Sequence, residues 1–232
     1  MGIRRALVLG LWAGLALAST AQASQTQTLT FGASVPIQLT NWNQNINIPK
    51  FDTALGTLQS IEFLLGGTVQ GSAAFESLDA APATVTLDLS ATITLTRPDM
   101  SVLVVSLPAA STVDNVLAFD GLIDFGGASG RSYPNLSDTD TNSVTLGPPV
   151  SAADLALFSA LGGGNIALPI SAIATSHGSG AGNLLVQFTT LAGADVRVKY
   201  TYKAIPEPAT LALILLGGPV LFRRTRSGLR IS

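Results

Sequence analysis

Apolar and polar residues alternate with a period of two along much of this chain. The clearest run is Thr84–Thr96. Val85, Leu87, Leu89, Ala91, Ile93 and Leu95 fall on one face, and Thr84, Thr86, Asp88, Ser90, Thr92, Thr94 and Thr96 on the other. Such alternation predicts a half-buried strand, and threonine suits its solvated side because a branched side chain fits a pleated surface. Arg97-Pro98-Asp99 ends the run, and Val102–Leu107 reads as its hairpin partner. Val196, Val198, Tyr200 and Tyr202 alternate with Arg197, Lys199, Thr201 and Lys203 to give a terminal strand. Shorter candidates are Thr26–Phe31, Pro36–Leu39, Thr57–Leu65, Asn115–Phe119, Ser143–Leu146, Asn165–Pro169 and Leu184–Leu191. Gly and Pro separate them at short intervals, as in sandwiches and barrels. One segment departs from the pattern. Ser151 before Ala152–Leu161 reads as the N-cap of a short helix with Asp154 in its first turn, stopped by Gly162-Gly163-Gly164. The expected fold is all-β: an antiparallel, jelly-roll-like β-sandwich with one short helix.

The two ends follow another pattern. Arg4 and Arg5 precede an apolar run, Ala6–Ala18, and Ala21-Gln22-Ala23 supplies small residues at a cleavage site. This predicts a signal peptide over 1–23, read by the Sec translocon and signal peptidase, with cleavage between Ala23 and Ser24. At the other end, Pro206-Glu207-Pro208 leads into Ala209–Phe222, which is uncharged, and then Arg223-Arg224-Thr225-Arg226. The apolar stretch predicts a short C-terminal transmembrane helix over 209–222. It falls short of the ~20 residues of an ordinary span and is interrupted by Gly217, Gly218 and Pro219. Arg223, Arg224 and Arg226 would stay on the cytoplasmic side, leaving 24–205 outside the inner membrane.

Composition narrows the classes of function. The chain has 232 residues, 47% hydrophobic and only 11% charged, with no Cys and one His. Cys-ligated metals, disulfide frameworks and His-cluster sites are excluded. Within 24–205, six basic residues face thirteen acidic ones, a net charge of −7. Such a domain has no electrostatic reason to bind nucleic acid or anionic lipid.

Four groups of residues invite a chemical reading. Asp138, Asp140 and Asn142 place oxygen ligands at every second position, as in a Ca²⁺ loop, and Asp120 and Asp124 could complete such a site. The other reading is a polar turn that caps itself. An EF-hand is excluded, because Ser143 and Pro149 replace its Gly and bidentate Glu. Trp42 among Asn41, Asn43, Asn45 and Asn47 could stack on a sugar ring and bind its hydroxyls; the alternative is that Trp42 fills the core while the amides cap turns. His177, in Ser176-His177-Gly178-Ser179-Gly180, is either an exposed loop residue or the base of a hydrolase, with no Gly-x-Ser-x-Gly elbow to support the latter. Gly121–Gly130 lacks the Gly-Lys-Ser/Thr ending of a phosphate loop and reads as a hairpin connection. No catalytic or cofactor-binding residue is assigned.

Pro206-Glu207-Pro208, the apolar segment and the terminal Arg cluster resemble the PEP-CTERM sorting signal of Gram-negative, exopolysaccharide-producing bacteria. The resemblance implies an exosortase as partner, a membrane transpeptidase that would cleave near Pro206–Pro208. A second resemblance lies in the domain. Phe51-Asp52-Thr53-Ala54-Leu55-Gly56-Thr57-Leu58, the Phe158…Gly163-Gly164-Asn165-Ile166 region and Val198-Lys199-Tyr200-Thr201-Tyr202 are similar to segments of the choice-of-anchor E domain. It implies an extracellular domain without catalytic residues. The expected function is that of an exported surface or matrix protein, structural or exopolysaccharide-binding, rather than an enzyme. The alternative is a secreted hydrolase.

Overall fold

The structure, a computed structural model, describes residues 25–205, which form one compact unit. The expected signal peptide, Ala23/Ser24, Pro206-Glu207-Pro208, the 209–222 segment and Arg223, Arg224 and Arg226 lie outside the described residues.

In chain order the strands are β1 Thr26–Leu39, β2 Trp42–Pro49, β3 Phe51–Asp52, β4 Gly56–Ser77, β5 Ala83–Thr96, β6 Val102–Ser106, β7 Ala109–Val116 and β8 Gly130–Leu146. Then follow helix α1 Ala152–Phe158 and strands β9 Ser159–Ala160, β10 Asn165–Ala174, β11 His177–Ser179 and β12 Leu184–Ala204. A 3-10 turn, Thr53–Leu55, precedes β4. One antiparallel sheet runs β1-β12-β4-β8. The other is built on β5, which takes β10 and β11 along one side and β6 and β7 along the other; β2 adds to β10 as an edge. Every pairing in these sheets is antiparallel, and β3 and β9 form a small parallel pair apart from them.

The core lies between the two sheets, as period two demands. Val85, Leu87, Leu89, Ala91, Ile93 and Leu95 of β5 are all buried; Leu89 to Leu95 share a cluster with Ile61, Phe63 and Leu65 of β4 and Val196, Val198 and Tyr200 of β12, whereas Val85 and Leu87 pack with Ala73 and Phe75 of β4 and Val116 of β7. Tyr200 is fully buried and donates its hydroxyl to Pro49 O at 2.9 Å, which satisfies its one polar atom. Burial pushes its pKa up. Phe51 packs on Tyr200 and Tyr202, with ring centroids 6.0 and 5.1 Å apart.

The structure extends or corrects several expected elements. Thr26–Phe31 and Pro36–Leu39 fuse into β1, Thr57–Leu65 is the first half of β4, and Leu184–Leu191 joins the terminal strand in β12. Asn115–Phe119 overshoots: β7 stops at Val116, because the Leu117 amide donates to Ala128 O and the Phe119 amide to Asp79 O in the loop beyond. The helix begins as expected, with the Ser151 hydroxyl accepting from the Asp154 amide at 3.1 Å. It ends three residues early, because Ser159-Ala160 pairs with Phe51-Asp52. Arg97, just past β5, anchors it by an ion pair with Asp154 at 3.0 Å.

Candidate functional site

Residues 138–142 are strand, not loop, which corrects the cation-loop expectation. Asp138, Asp140 and Asn142 share one face of β8, the face turned toward the opposite sheet, while Thr139 and Thr141 point outward. Each inward side chain meets backbone of β6, β7 or the turn between them. Asn142 Nδ2 donates to Val105 O at 3.1 Å. Asp140 Oδ2 accepts from the Leu107 amide at 2.7 Å and from Ser106 Oγ at 3.1 Å. Asp138 Oδ2 accepts from the Ala109 amide at 3.0 Å. The partners, 105, 107 and 109, step two at a time as 142, 140 and 138 do. Side chains of β8 thus take the place of a missing neighbour strand along the free edge of β6–β7, where unpaired backbone groups would otherwise be exposed.

Asp120 and Asp124 do not join that set. The Asp120 carboxylate accepts from the amides of Leu122 (3.1 Å) and Ala128 (3.1 Å), and these bonds hold its pKa below the usual carboxylate range. Asp124 Oδ1 accepts from the Gly126 amide. Both staple their own loop between β7 and β8. Glu76, at the end of β4, is fully buried beneath this loop and accepts from the Phe125 amide at 2.8 Å and from Ser129 Oγ at 2.6 Å. No sequence signal marks Glu76, since it falls beyond the alternation that reveals β4. Among the described residues, no group of three or more His, Cys, Asp or Glu side chains is placed to hold a metal ion.

Trp42 belongs to the core, the second of the two readings its neighbourhood allows. It is 9% exposed, and its Nε1 donates to Ala192 O at 3.1 Å. No ring face is left for a ligand. Asn43, Asn45 and Asn47 project from the outer face of β2, on the opposite side from Trp42, Ile46 and Ile48. Asn41 caps the β1–β2 turn in a left-handed conformation (φ 67°), its Oδ1 accepting from the Ala174 amide. His177 sits on β11 opposite Asp88 of β5, with Nε2 3.2 Å from Asp88 Oδ2. Ser111, on the other flank of β5, donates to the same carboxylate. A Ser–His–Asp hydrolase needs the imidazole between hydroxyl and carboxylate. Here the carboxylate lies in the middle and the serine is two strands from the imidazole.

The outer face of the β1-β12-β4-β8 sheet carries a groove of about 320 Å³. Leu64, Gly66 and Thr68 of β4 form its floor, Thr139 and Thr141 of β8 one wall, and Asp195 and Arg197 of β12 the other. A second depression of about 240 Å³ lies across the Asp195–Arg197 ridge, over Gly32 and Ser34 of β1. Lys199, next along the ridge, pairs with Glu62, whereas Arg197 enters no ion pair or hydrogen bond among the described residues. In the sequence these cations read only as the solvated side of a strand.

No family model and no curated protein matches the chain. Solved structures similar to it include T=1 particles derived from infectious bursal virus, at 14% identity and a TM-score of 0.13, covering 93% of this chain and 52% of the other. The Gx strain of infectious bursal disease virus is matched at 14% identity and a TM-score of 0.15, covering 88% and 49%. The chain spans about half the length of these viral chains. Likeness at this level does not bear on function.

Proposed function

We propose that the chain is an exported protein of the bacterial envelope or exopolysaccharide matrix. In this reading, residues 1–23 direct export through the Sec translocon and are cleaved at Ala23/Ser24. The 209–222 segment, with Arg223, Arg224 and Arg226 inside, holds the chain briefly in the inner membrane, and an exosortase acts near Pro206-Glu207-Pro208. The jelly-roll-like sandwich is what reaches the surface, as a non-catalytic structural or polysaccharide-binding part.

One structural observation supports this reading. Both ends of the folded unit lie side by side: Thr26 pairs with Lys203, and the Ala204 amide donates to Gln25 O at 2.9 Å. The buried residues named above all fall between β1 and β12. Cleavage before residue 25 and after residue 205 therefore leaves the core in one piece. The test is the intact mass of the chain recovered from the cell surface and medium of its native host. The expected species begins at Ser24 and ends near Pro206–Pro208. A species that keeps Arg223–Ser232 in the inner membrane would overturn the sorting reading.

A further inference from the structure

The groove over Gly66 has features that the fold itself does not require. Glycine in a strand interior weakens it and often marks close approach by a ligand or another backbone. Gly66 does not have a positive φ, and a Cβ built there meets nothing nearer than 3.8 Å. Gly32, under the second depression, is equally open, with its nearest neighbour at 3.7 Å. The contrast is Gly67, next along β4 and facing inward. A Cβ there would lie 2.5 Å from Ser106 Oγ and 2.8 Å from Ile93 Cδ1. Gly67 is therefore required by core packing, whereas Gly32 and Gly66 are required by neither packing nor backbone conformation. Their bareness is what leaves a floor on both sides of the Asp195–Arg197 ridge. At about 320 Å³ the larger groove falls within the range of ligand sites.

We infer that this groove binds a carboxylated sugar chain, with Arg197 contacting the carboxylate and Asp195, Thr68, Thr139 and Thr141 taking the hydroxyls. A free guanidinium presents a planar fork that matches a carboxylate bidentately. Asp195, two residues along the same face, offers a carboxylate's acceptor oxygens, which suit sugar hydroxyls. The same carboxylate repels polyanions more strongly the denser their charge, so polyphosphate and nucleic acid fit the site less well than a chain carrying one carboxylate per sugar. No aromatic side chain lines either depression, so the stacking on which a neutral sugar site usually relies is absent from the lining. This inference rests on the proposed matrix location, which supplies such a ligand.

The test is binding of fluorescent alginate oligosaccharides, a uronate polymer, to the full chain in mild detergent at low and moderate salt. Carboxyl-reduced alginate and polyphosphate serve as comparisons. Wild type binds alginate, and more weakly as salt rises. Arg197→Gln weakens binding at least about tenfold, the loss of a charge-assisted contact. Gly66→Val fills the groove and abolishes binding while its melting temperature stays equal or rises, since valine suits a strand better than glycine. Absence of alginate binding, equal binding to carboxyl-reduced alginate or polyphosphate, or unchanged binding in both variants would overturn the site. Location is read separately, by fractionating host cells. A matrix-borne chain that ignores alginate sinks the groove alone, and an alginate-binding chain that stays in the inner membrane sinks the sorting reading alone.

Discussion

Strands β5 and β8 both place polar side chains at every second position, and they use them in opposite ways. In β5 the polar set points to solvent while Val85 through Leu95 fill the core. In β8 the polar set Asp138, Asp140 and Asn142 points toward the other sheet and holds its edge. The difference is position in the sheet. β5 is central, with neighbours on both flanks, so its backbone is satisfied and only side-chain burial decides which face turns in. β8 is an edge and stands over another edge, β6–β7, whose outward amides need acceptors. There a carboxylate facing inward is stabilising, where in β5 it would be ruinous.

That contrast is breakable by mutation. Leu89→Asp places an unpaired charge in the middle of the core and should cost at least ~3 kcal/mol, a large share of the ~5–15 kcal/mol by which an ordinary domain is stable. Circular dichroism and thermal melting of the purified variant check it; a melt like wild type would mean the inward face of β5 is wrongly assigned. Asp140→Ala removes acceptors from the Leu107 amide and Ser106 and should cost about 1.5 kcal/mol, with Asp138→Ala near 1 kcal/mol. Urea titration of both variants measures this, and an increase in stability on either change would show that the clasp is repulsive rather than bonding. Smallest of all is the effect of calcium. Millimolar Ca²⁺ should leave the melting temperature where it is, because the carboxylates of β8 already serve the β6–β7 amides. A bound ion at 100 times its Kd would add ~2.7 kcal/mol, so a clear upward shift would reinstate the cation reading.

The sequence pattern reveals β5 and the last part of β12 because their alternation is complete and their surroundings do not alter it. It shows other strands only in part, and hides β2 and the second half of β4, for physical reasons. Gly66, Gly67 and Gly71 look like punctuation, yet β4 runs through them because β12 and β8 pair with it on both sides. β2 reads as a cluster of amides, since Asn43, Asn45 and Asn47 outweigh Trp42, Ile46 and Ile48 on the buried side. Trp42 and Asp138 mislead in the same manner. Each is a residue type that ligands favour, and each is engaged by backbone from a distant strand, Ala192, 150 positions away, for one and Ala109, 29 positions away, for the other. A single sequence carries no mark of such partners. The groove beside Arg197 is invisible for a related reason: its floor opens at Gly66, which has no side chain to announce it, and its walls come from β8 and β12, which flank β4 only in the assembled sheet.

The place of β12 in its sheet has a mechanical consequence. It lies between β1 and β4 from Leu191 to Lys203 and carries Arg197 within that stretch, seven positions before its end at Ala204. A pull between the groove and the chain's C-terminal end runs along the strand axis. It loads two hydrogen-bonded ladders in shear, where many bonds must yield together, rather than peeling them one at a time. A pull separating Gln25 from Ile205 does the reverse, because these ends start side by side and β1 can unzip from β12 bond by bond. The same domain is therefore stiff to traction applied through a bound polymer and yielding to traction applied across its own termini.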